Sequence, residues 1–231
     1  MENNYHVVLL DMDGTFLNSR GAGTIPNEWA YNAFKKTLNR YGLTLSREEI
    51  DAFFLNPLRL EGEEGVRKFC KRFGLECEEF WARREQDVID GKIEAIRRGD
   101  ITLCKGSEGI IKYLNSKCYL AVVSDSQQAC VDYALEHFHL KPYFTIWFGR
   151  RSDLSSLDRR KPTPFYINKV LKELHMHRDE AILVDDSPVG ILAAHNAGID
   201  SVLIGTEEKV RQYQSNPTFL IQTIGDLKRI L

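Results

Sequence analysis

The chain has 231 residues, 43% hydrophobic and 28% charged, with 31 Lys and Arg against 33 Asp and Glu and a formal net charge of -2. This is the balance of an ordinary soluble globular protein, one large domain or a domain with a smaller insertion, and it argues against nucleic acid as a partner. The five Cys are scattered without a C-x-x-C pair and no run approaches 18 apolar residues, which argues against a disulfide framework, a zinc ribbon and a membrane span, and fits reduced thiols in a cytoplasmic protein.

The opening sequence MENNYHVVLLDMDG has no basic stretch before its apolar run, so residues 7–10 read as a first strand and not as a leader. From 17 to 97 only helical patterns follow. Ala30, Phe34, Leu38 and Tyr41 line one helix. Ser46-Arg47-Glu48-Glu49 is a capping box opening a second, with Ile50, Phe53 and Phe54. Val66, Phe69, Cys70 and Phe73 recur at i, i+3, i+4 and i+7 in a third. After this block, Ser107 precedes a helix with Ile110, Ile111 and Leu114 on one side. Apolar runs at 120–123 and 144–148 predict strands, and 149–160 reads as a polar surface loop. Pro164 begins a helix whose Phe165, Val170, Leu171 and Leu174 would face a sheet. A strand is predicted at 181–184. Ser187 as N-cap, Pro188 at the first helical position and Gly198 as terminator bracket another helix, and 201–204 reads as a last strand.

Continuously apolar, β-branched strands alternating with helices indicate an α/β fold: a doubly wound, mostly parallel sheet. The helical block interrupts that alternation and reads as an inserted all-helical cap. The expected organisation is core at 1–16, helical cap at 17–97 and core again at 98–231.

Three of the strands run directly into polar clusters: Asp11-Met12-Asp13-Gly14-Thr15, Ser124-Asp125-Ser126 and Asp185-Asp186-Ser187. In open α/β sheets ligands bind beyond the carboxyl ends of strands, so parallel neighbours would bring all three together. Asp11 and Asp13, two apart at a strand end, suit a nucleophile beside an acid/base. Gly14 permits a tight turn and lets backbone N–H groups approach an anion. Adjacent Asp185 and Asp186 repel unless a cation sits there; Mg²⁺ bridging to Asp11 would supply it, and capping of the next helix is the alternative use of Asp186. Lys161, in Arg160-Lys161-Pro162-Thr163-Pro164, sits on backbone stiffened by prolines. His137-x-His139 and His175-x-His177 lack the i, i+4 spacing for a shared metal. Ten basic and ten acidic side chains between 59 and 98 read as a solvated helical surface. Arg59 is the exception, expected between two helices as a candidate substrate contact.

As a set these residues resemble the haloacid dehalogenase superfamily. Asp11-Met12-Asp13-Gly14-Thr15 is similar to its first motif, Ser124 to the second, Lys161-Pro162 to the third and Asp185-Asp186 to the fourth. The run from Asp185 to Gly198 resembles the β-phosphoglucomutase and phosphoglycolate phosphatase subgroup, whose helical cap is inserted after the first motif. The resemblance implies a Mg²⁺-dependent phosphatase acting on a small phosphorylated metabolite, phosphoglycolate or a sugar phosphate foremost. Asp11 would be the nucleophile and Asp13 the acid/base, with the Asp13 carbonyl also on Mg²⁺. Ser124, Lys161, Asp13 and Gly14 would hold phosphate, Asp11 and Asp186 would bind Mg²⁺, and Asp185 would be a ligand or a partner of ligands. A phosphomutase and a silent phosphate-binding protein are the alternatives, and a monomer or homodimer with no membrane partner is expected. Asp125, where the family often has Asn, and the basic pair Arg159-Arg160 depart from the pattern.

Overall fold

The computed structural model describes residues 5–21, 24–213 and 216–231. Its strands are β1 (Val7–Leu10), β2 (Leu17–Asn18), β3 (Thr102–Leu103), β4 (Tyr119–Gln127), β5 (Ile146–Arg150), β6 (Ala181–Asp185), β7 (Asp200–Ile204) and β8 (Phe219–Ile221). Its α-helices are α1 (Glu28–Arg40), α2 (Arg47–Ile50), α3 (Asn56–Glu61), α4 (Glu63–Phe73), α5 (Cys77–Arg97), α6 (Ser107–Asn115), α7 (Gln128–His137), α8 (Phe165–Glu173), α9 (Pro188–Ala197) and α10 (Glu207–Tyr213). Two compact units emerge: a sheet unit of Met1–Ser19, Thr102–Gly149 and Arg159–Leu231, and a helical unit of Arg20–Ile101 and Arg150–Asp158.

In the sheet unit six strands run in the order β5-β4-β1-β6-β7-β8. β1 pairs in parallel with both β4 and β6, and β6-β7 and β7-β8 are parallel as well. All four residues of β1 and all five of β6 are buried, as strands covered on both faces require. In register, Leu10 lies opposite Val122 on one side and Val184 on the other. The three polar clusters that follow therefore leave one sheet edge side by side.

Local chemistry accounts for much of this. Ser187 caps α9 by accepting from Gly190 N at 3.1 Å, Pro188 occupies the first turn, and Gly198 closes the helix at φ 69°. Ile110, Ile111 and Leu114 of α6 are buried as the pattern predicts, but the N-cap is Gly106; Ser107 is the first helical residue and its Oγ donates to Phe16 O at 3.0 Å. On α8 the sheet-facing residues are Tyr166, Ile167, Val170 and Leu171, whereas Phe165 stays 40% exposed under the guanidinium of Arg159. The strand expected at 144–148 is shifted to β5, because Lys141-Pro142-Tyr143 forms a 3-10 turn that takes up the Phe144 N–H. β8, a three-residue apolar run, and the small antiparallel pair of β2 with β3 are not among the strands predicted from sequence.

The helical unit is built on an aromatic cluster in which Phe34, Phe54, Phe69 and Phe80 contact one another with centroids 4.4–6.2 Å apart. The Ser46 capping box is present, with Ser46 and Glu49 bonding reciprocally. The break between helices expected around Arg59 falls later, at Gly62 (φ 60°) between α3 and α4. A π-helical stretch at Asp51–Leu55 carries α2 into α3, and the Asn56 N–H reaches back to Asp51 O. That widened turn lets Pro57, at the start of α3, continue the helix without its ring meeting a carbonyl of the preceding turn. Arg59 is therefore an exposed residue of α3, where a loop position was expected. The segment Arg150–Asp158, read from sequence as a surface loop next to the core, packs in this unit.

Candidate active site

Side chains from the carboxyl ends of three strands and from the segment just ahead of α8 meet at the carboxyl edge of the sheet. Asp11 follows β1 directly, and its N–H is tied to Val184 O at 2.9 Å. The Lys161 ammonium, with its side chain only 6% exposed, lies 2.6 Å from Asp11 Oδ1 and 2.7 Å from Asp185 Oδ2. Lys161 N donates to Asp125 Oδ1 at 3.1 Å, so the lysine is fixed at both ends. Ser187 gives both N–H and Oγ–H to Asp185 Oδ1, at 2.8 and 2.6 Å. Both Asp185 oxygens thus carry a donor.

Ser124, 1% exposed, lies within the carboxyl-terminal half of β4, and its Oγ accepts from Ser126 N at 3.2 Å. Ser126 Oγ in turn donates to Asp13 Oδ2 at 2.5 Å. Gly14 has φ +87°, and a Cβ there would collide with the Asp186 carboxylate. Its N–H is committed to Leu17 O at 2.8 Å. Gly14 therefore serves by giving Asp186 room; the anion-facing N–H expected from sequence is used in the turn itself. Gly190 plays the same part for Asp185, whose carboxyl group fills the space into which a side chain at 190 would point. Lys209, from α10, donates to Asp186 O and holds its ammonium 4.0 Å from Asp186 Oδ2.

Charge dominates the site. Burial pushes the Asp11 carboxyl well above its ordinary range, opposed by Lys161 and reinforced by Asp185 and Asp13. Burial also raises Asp125, against Lys161. For Lys161 burial alone would favour the neutral amine, but Asp11, Asp185 and Asp125 together hold the ammonium above its usual range. Five carboxylates (Asp11, Asp13, Asp125, Asp185 and Asp186) thus share a site with two ammonium groups. Asp11, Asp185 and Asp186 each bring an oxygen within 4.8 Å of the others. Hard oxygen donors and a surplus of negative charge are what a divalent cation such as Mg²⁺ fits.

Every sequence-selected residue of the sheet unit, namely Asp11, Asp13, Gly14, Ser124, Lys161, Asp185 and Asp186, lies in this one constellation. Arg59 belongs to the other unit, exposed on α3. Three participants were not singled out from sequence: Ser126, Gly190 and Lys209. The signal for Lys209 was present, since the 201–204 strand ends at the same edge and Lys209 follows it by one turn.

The chain is similar to several known proteins. Pyrophosphatase PpaX of Anoxybacillus flavithermus is 25% identical over 239 residues, covering 99% of this chain and 97% of its own. A predicted phosphoglycolate phosphatase from Haemophilus somnus shares the fold with a TM-score of 0.73 at 21% identity, over 100% of this chain and 99% of that one. The HAD-hydrolase YfnB of Bacillus subtilis, solved bound to magnesium, gives 0.67 at 18% identity over 98% of each chain. Residues 8–204 match the family model for haloacid dehalogenase-like hydrolases, and with that match spanning most of the sheet unit and all of its strand-end carboxylates, the chain belongs to this family.

Proposed function

We propose that the protein is a Mg²⁺-dependent phosphatase that hydrolyses a small phosphorylated compound through an aspartyl-phosphate on Asp11. The observation that carries this reading is the single ammonium of Lys161 held between Asp11 Oδ1 and Asp185 Oδ2. A buried carboxylate cannot approach a phosphate dianion unleashed from countercharge, and a cation bonded to the attacking group removes that barrier. Asp11, Asp186 and the Asp13 carbonyl are the groups assigned to Mg²⁺. When bound, the ion adds charge neutralisation at the phosphoryl oxygens. With both oxygens already bonded, Asp185 is assigned to holding Lys161 and Ser187.

In the first half-reaction an Asp11 oxygen bonds to phosphorus as the bond from phosphorus to the leaving oxygen breaks, and Asp13 gives that oxygen its proton. In the second, Asp13 takes a proton from water as the water oxygen attacks phosphorus. Asp11 is released as carboxylate and the phosphate departs. Ser126 holds Asp13 through Oδ2, and Ser124 is assigned as a donor to a phosphoryl oxygen. Arg59 is the helical unit's candidate for substrate reading. The relatives named pyrophosphatase and phosphoglycolate phosphatase support inorganic pyrophosphate and phosphoglycolate as first substrates to try, with sugar phosphates beside them.

The test is phosphate release from pyrophosphate, phosphoglycolate and a set of hexose phosphates, with Mg²⁺ or with EDTA, by the wild type and Asp11→Asn. Release that requires Mg²⁺ and disappears in the variant supports the reading. Near-normal turnover by purified Asp11→Asn overturns it.

A further inference from the structure

The polar stretch ahead of Lys161 is divided between the two units. Gly149 is the last residue of its sheet segment, Arg150–Asp158 belongs to the helical unit, and Arg159 returns to the sheet unit. Within the helical unit the segment is anchored by buried groups. Arg150, 4% exposed, gives Nη2 to Glu85 Oε2 at 2.5 Å, and Glu85 is 1% exposed. The Arg150 guanidinium also lies 5.4 Å from the ring centroid of Trp81. Trp81 Nε1 donates to Ser152 O at 2.9 Å. Leu154 and Leu157 enter the same apolar cluster as Phe54, Phe80 and Trp81. Ser156, fully buried, accepts from Arg150 Nη1 at 3.2 Å, and its one hydroxyl proton is shared between the carbonyls of Arg151 and Asp153, closing the segment on itself.

An inserted helical unit needs only two chain crossings, here at Ser19–Arg20 and Ile101–Thr102. This chain makes two more, at Gly149–Arg150 and Asp158–Arg159. The last of them is three residues from Lys161. Extended chain spans about 3.5 Å per residue, so the Lys161 backbone stays within about 10 Å of the anchored segment.

We propose that residues 150–158 form a strap through which the helical unit positions the Lys161 ammonium, with Glu85, Trp81 and Arg150 as positioning residues. The inference rests on the reading of Lys161 as the charge-balancing group at the phosphoryl site. A displacement of the helical unit is transmitted through Arg159 and Arg160 to a lysine whose hydrogen bonds to Asp11 and Asp185 leave little slack.

The test lengthens the tether and leaves every anchor in place. Two glycines are inserted between Asp158 and Arg159, with the same insertion at the Tyr41–Gly42 turn as control, and both are also made in Lys161→Met. Circular dichroism and thermal unfolding establish folding. kcat, KM and inhibition by orthovanadate, which mimics the five-coordinate phosphorus of the transition state, are measured with Mg²⁺. The expected result for the Asp158–Arg159 insertion is a loss of about tenfold or more in kcat and in vanadate affinity, with KM within about twofold, since small misplacements of a reacting-site group carry costs of this size. In Lys161→Met the same insertion should leave vanadate affinity unchanged. Trp81→Phe, which removes the bond to Ser152 and shrinks the ring beneath Arg150, should lower kcat in the same direction by about threefold. Should the insertion fail to fold, Trp81→Phe in both backgrounds decides the matter by the same comparison. Unchanged kcat in the tether variant beside an inactive Lys161→Met overturns the strap, as does an equal loss of vanadate affinity in both backgrounds. Normal turnover by Lys161→Met instead overturns the reading of Lys161 itself, and the strap's role with it.

Discussion

Asp11 and Asp185 share one ammonium: Lys161 Nζ lies 2.6 Å from an oxygen of the first and 2.7 Å from an oxygen of the second. The two carboxylates end adjacent parallel strands at equivalent register, since Leu10 pairs with Val184. Sheet geometry alone therefore sets two buried negative charges side by side, and the lysine answers both. Asp11→Asn removes an oxygen of the proposed nucleophile but leaves Lys161 bonded to Asp185 and its backbone held by Asp125. We expect phosphate release to fall by at least about 10³-fold, with the folded state retained. Rapid-quench and steady-state assays on the purified variant, alongside its unfolding curve, check this.

Asp125 gives a stability prediction with a definite pH dependence. Burial raises its carboxyl above the ordinary value of 3.8, so the folded protein binds that proton more tightly than the unfolded chain does. Its share of stability is therefore full at pH below the ordinary value and is lost as pH rises through the folded-state value. Asp125→Asn keeps an oxygen for the Lys161 N–H and removes the charge. The variant should be more stable than wild type at neutral pH by about 1 kcal/mol, or about 2–4 °C in Tm. The advantage should vanish near pH 4. Thermal unfolding between pH 4 and 8 in EDTA reads both.

Much of this arrangement is visible in the chain because the signals are local. A Ser-Pro start and a Gly stop define α9, a capping box opens α2, and runs of buried apolar residues mark β1, β4, β6 and β7. Where local rules mislead, a tertiary partner has overridden them. Phe165 fits the apolar stripe of α8 but lies under Arg159, leaving Tyr166 and Ile167 to face the core. Arg59 reads as lying between two helices, yet the π turn at Asp51–Leu55 carries the helix on through it. Strand ends reveal that Asp11, Ser124 and Asp185 converge. They do not reveal that Lys161 bridges two of them, that Ser126 bonds Asp13, or that Glu85 and Arg150 find each other 65 positions apart, because those contacts depend on backbone placement across the whole unit.

Gly190 shows how closely the site is packed. A methyl group at this position would land on the Asp185 carboxyl, and that carboxyl is already bonded to Lys161 and Ser187. Relief requires Asp185 to move, breaking three hydrogen bonds around a buried charge. Gly190→Ala should cost about 2 kcal/mol in stability, although alanine favours helix here. It should also lower kcat about 10–100-fold through the displaced lysine. Chemical denaturation and steady-state kinetics on the same preparation test the two together; a stabilised, fully active variant would contradict the packing argument.

On the roles proposed for Asp13 and Asp11, Ser126→Ala separates acid catalysis from nucleophilic attack. The Ser126 hydroxyl fixes Asp13 through a 2.5 Å bond, and the acid matters in proportion to the basicity of the leaving oxygen. With an alkyl phosphate, kcat should fall about tenfold; with p-nitrophenyl phosphate, whose leaving group needs little protonation, the loss should be about twofold or less. Equal losses on both would mean that Ser126 supports the strand end in general and not the acid.

Lys209 sets a charge where a cation is assigned to bind. Its ammonium stands 4.0 Å from Asp186 Oδ2 and donates to the Asp186 carbonyl, with the lysine and aspartate side chains 28% and 23% exposed. At this spacing a unit charge acting through partly solvated protein interacts with a second by a few kcal/mol at most, about 4 at an effective dielectric near 20, and salt reduces it further. Lys209 then has two opposed effects: its bond to the carbonyl steadies the turn that carries Asp186, and its charge repels an incoming divalent ion. Repulsion acts on every ion that enters, whereas the turn is also held by the Ser187 cap and by the Gly14 clearance. The charge effect should therefore prevail. Lys209→Met, which keeps the aliphatic stem, should bind Mg²⁺ about three- to tenfold more tightly at low salt, with the difference shrinking as ionic strength rises. Calorimetric titration of the substrate-free protein measures this without any turnover. Weaker binding that is insensitive to salt would show that the bond to the Asp186 carbonyl is the greater part of what Lys209 does.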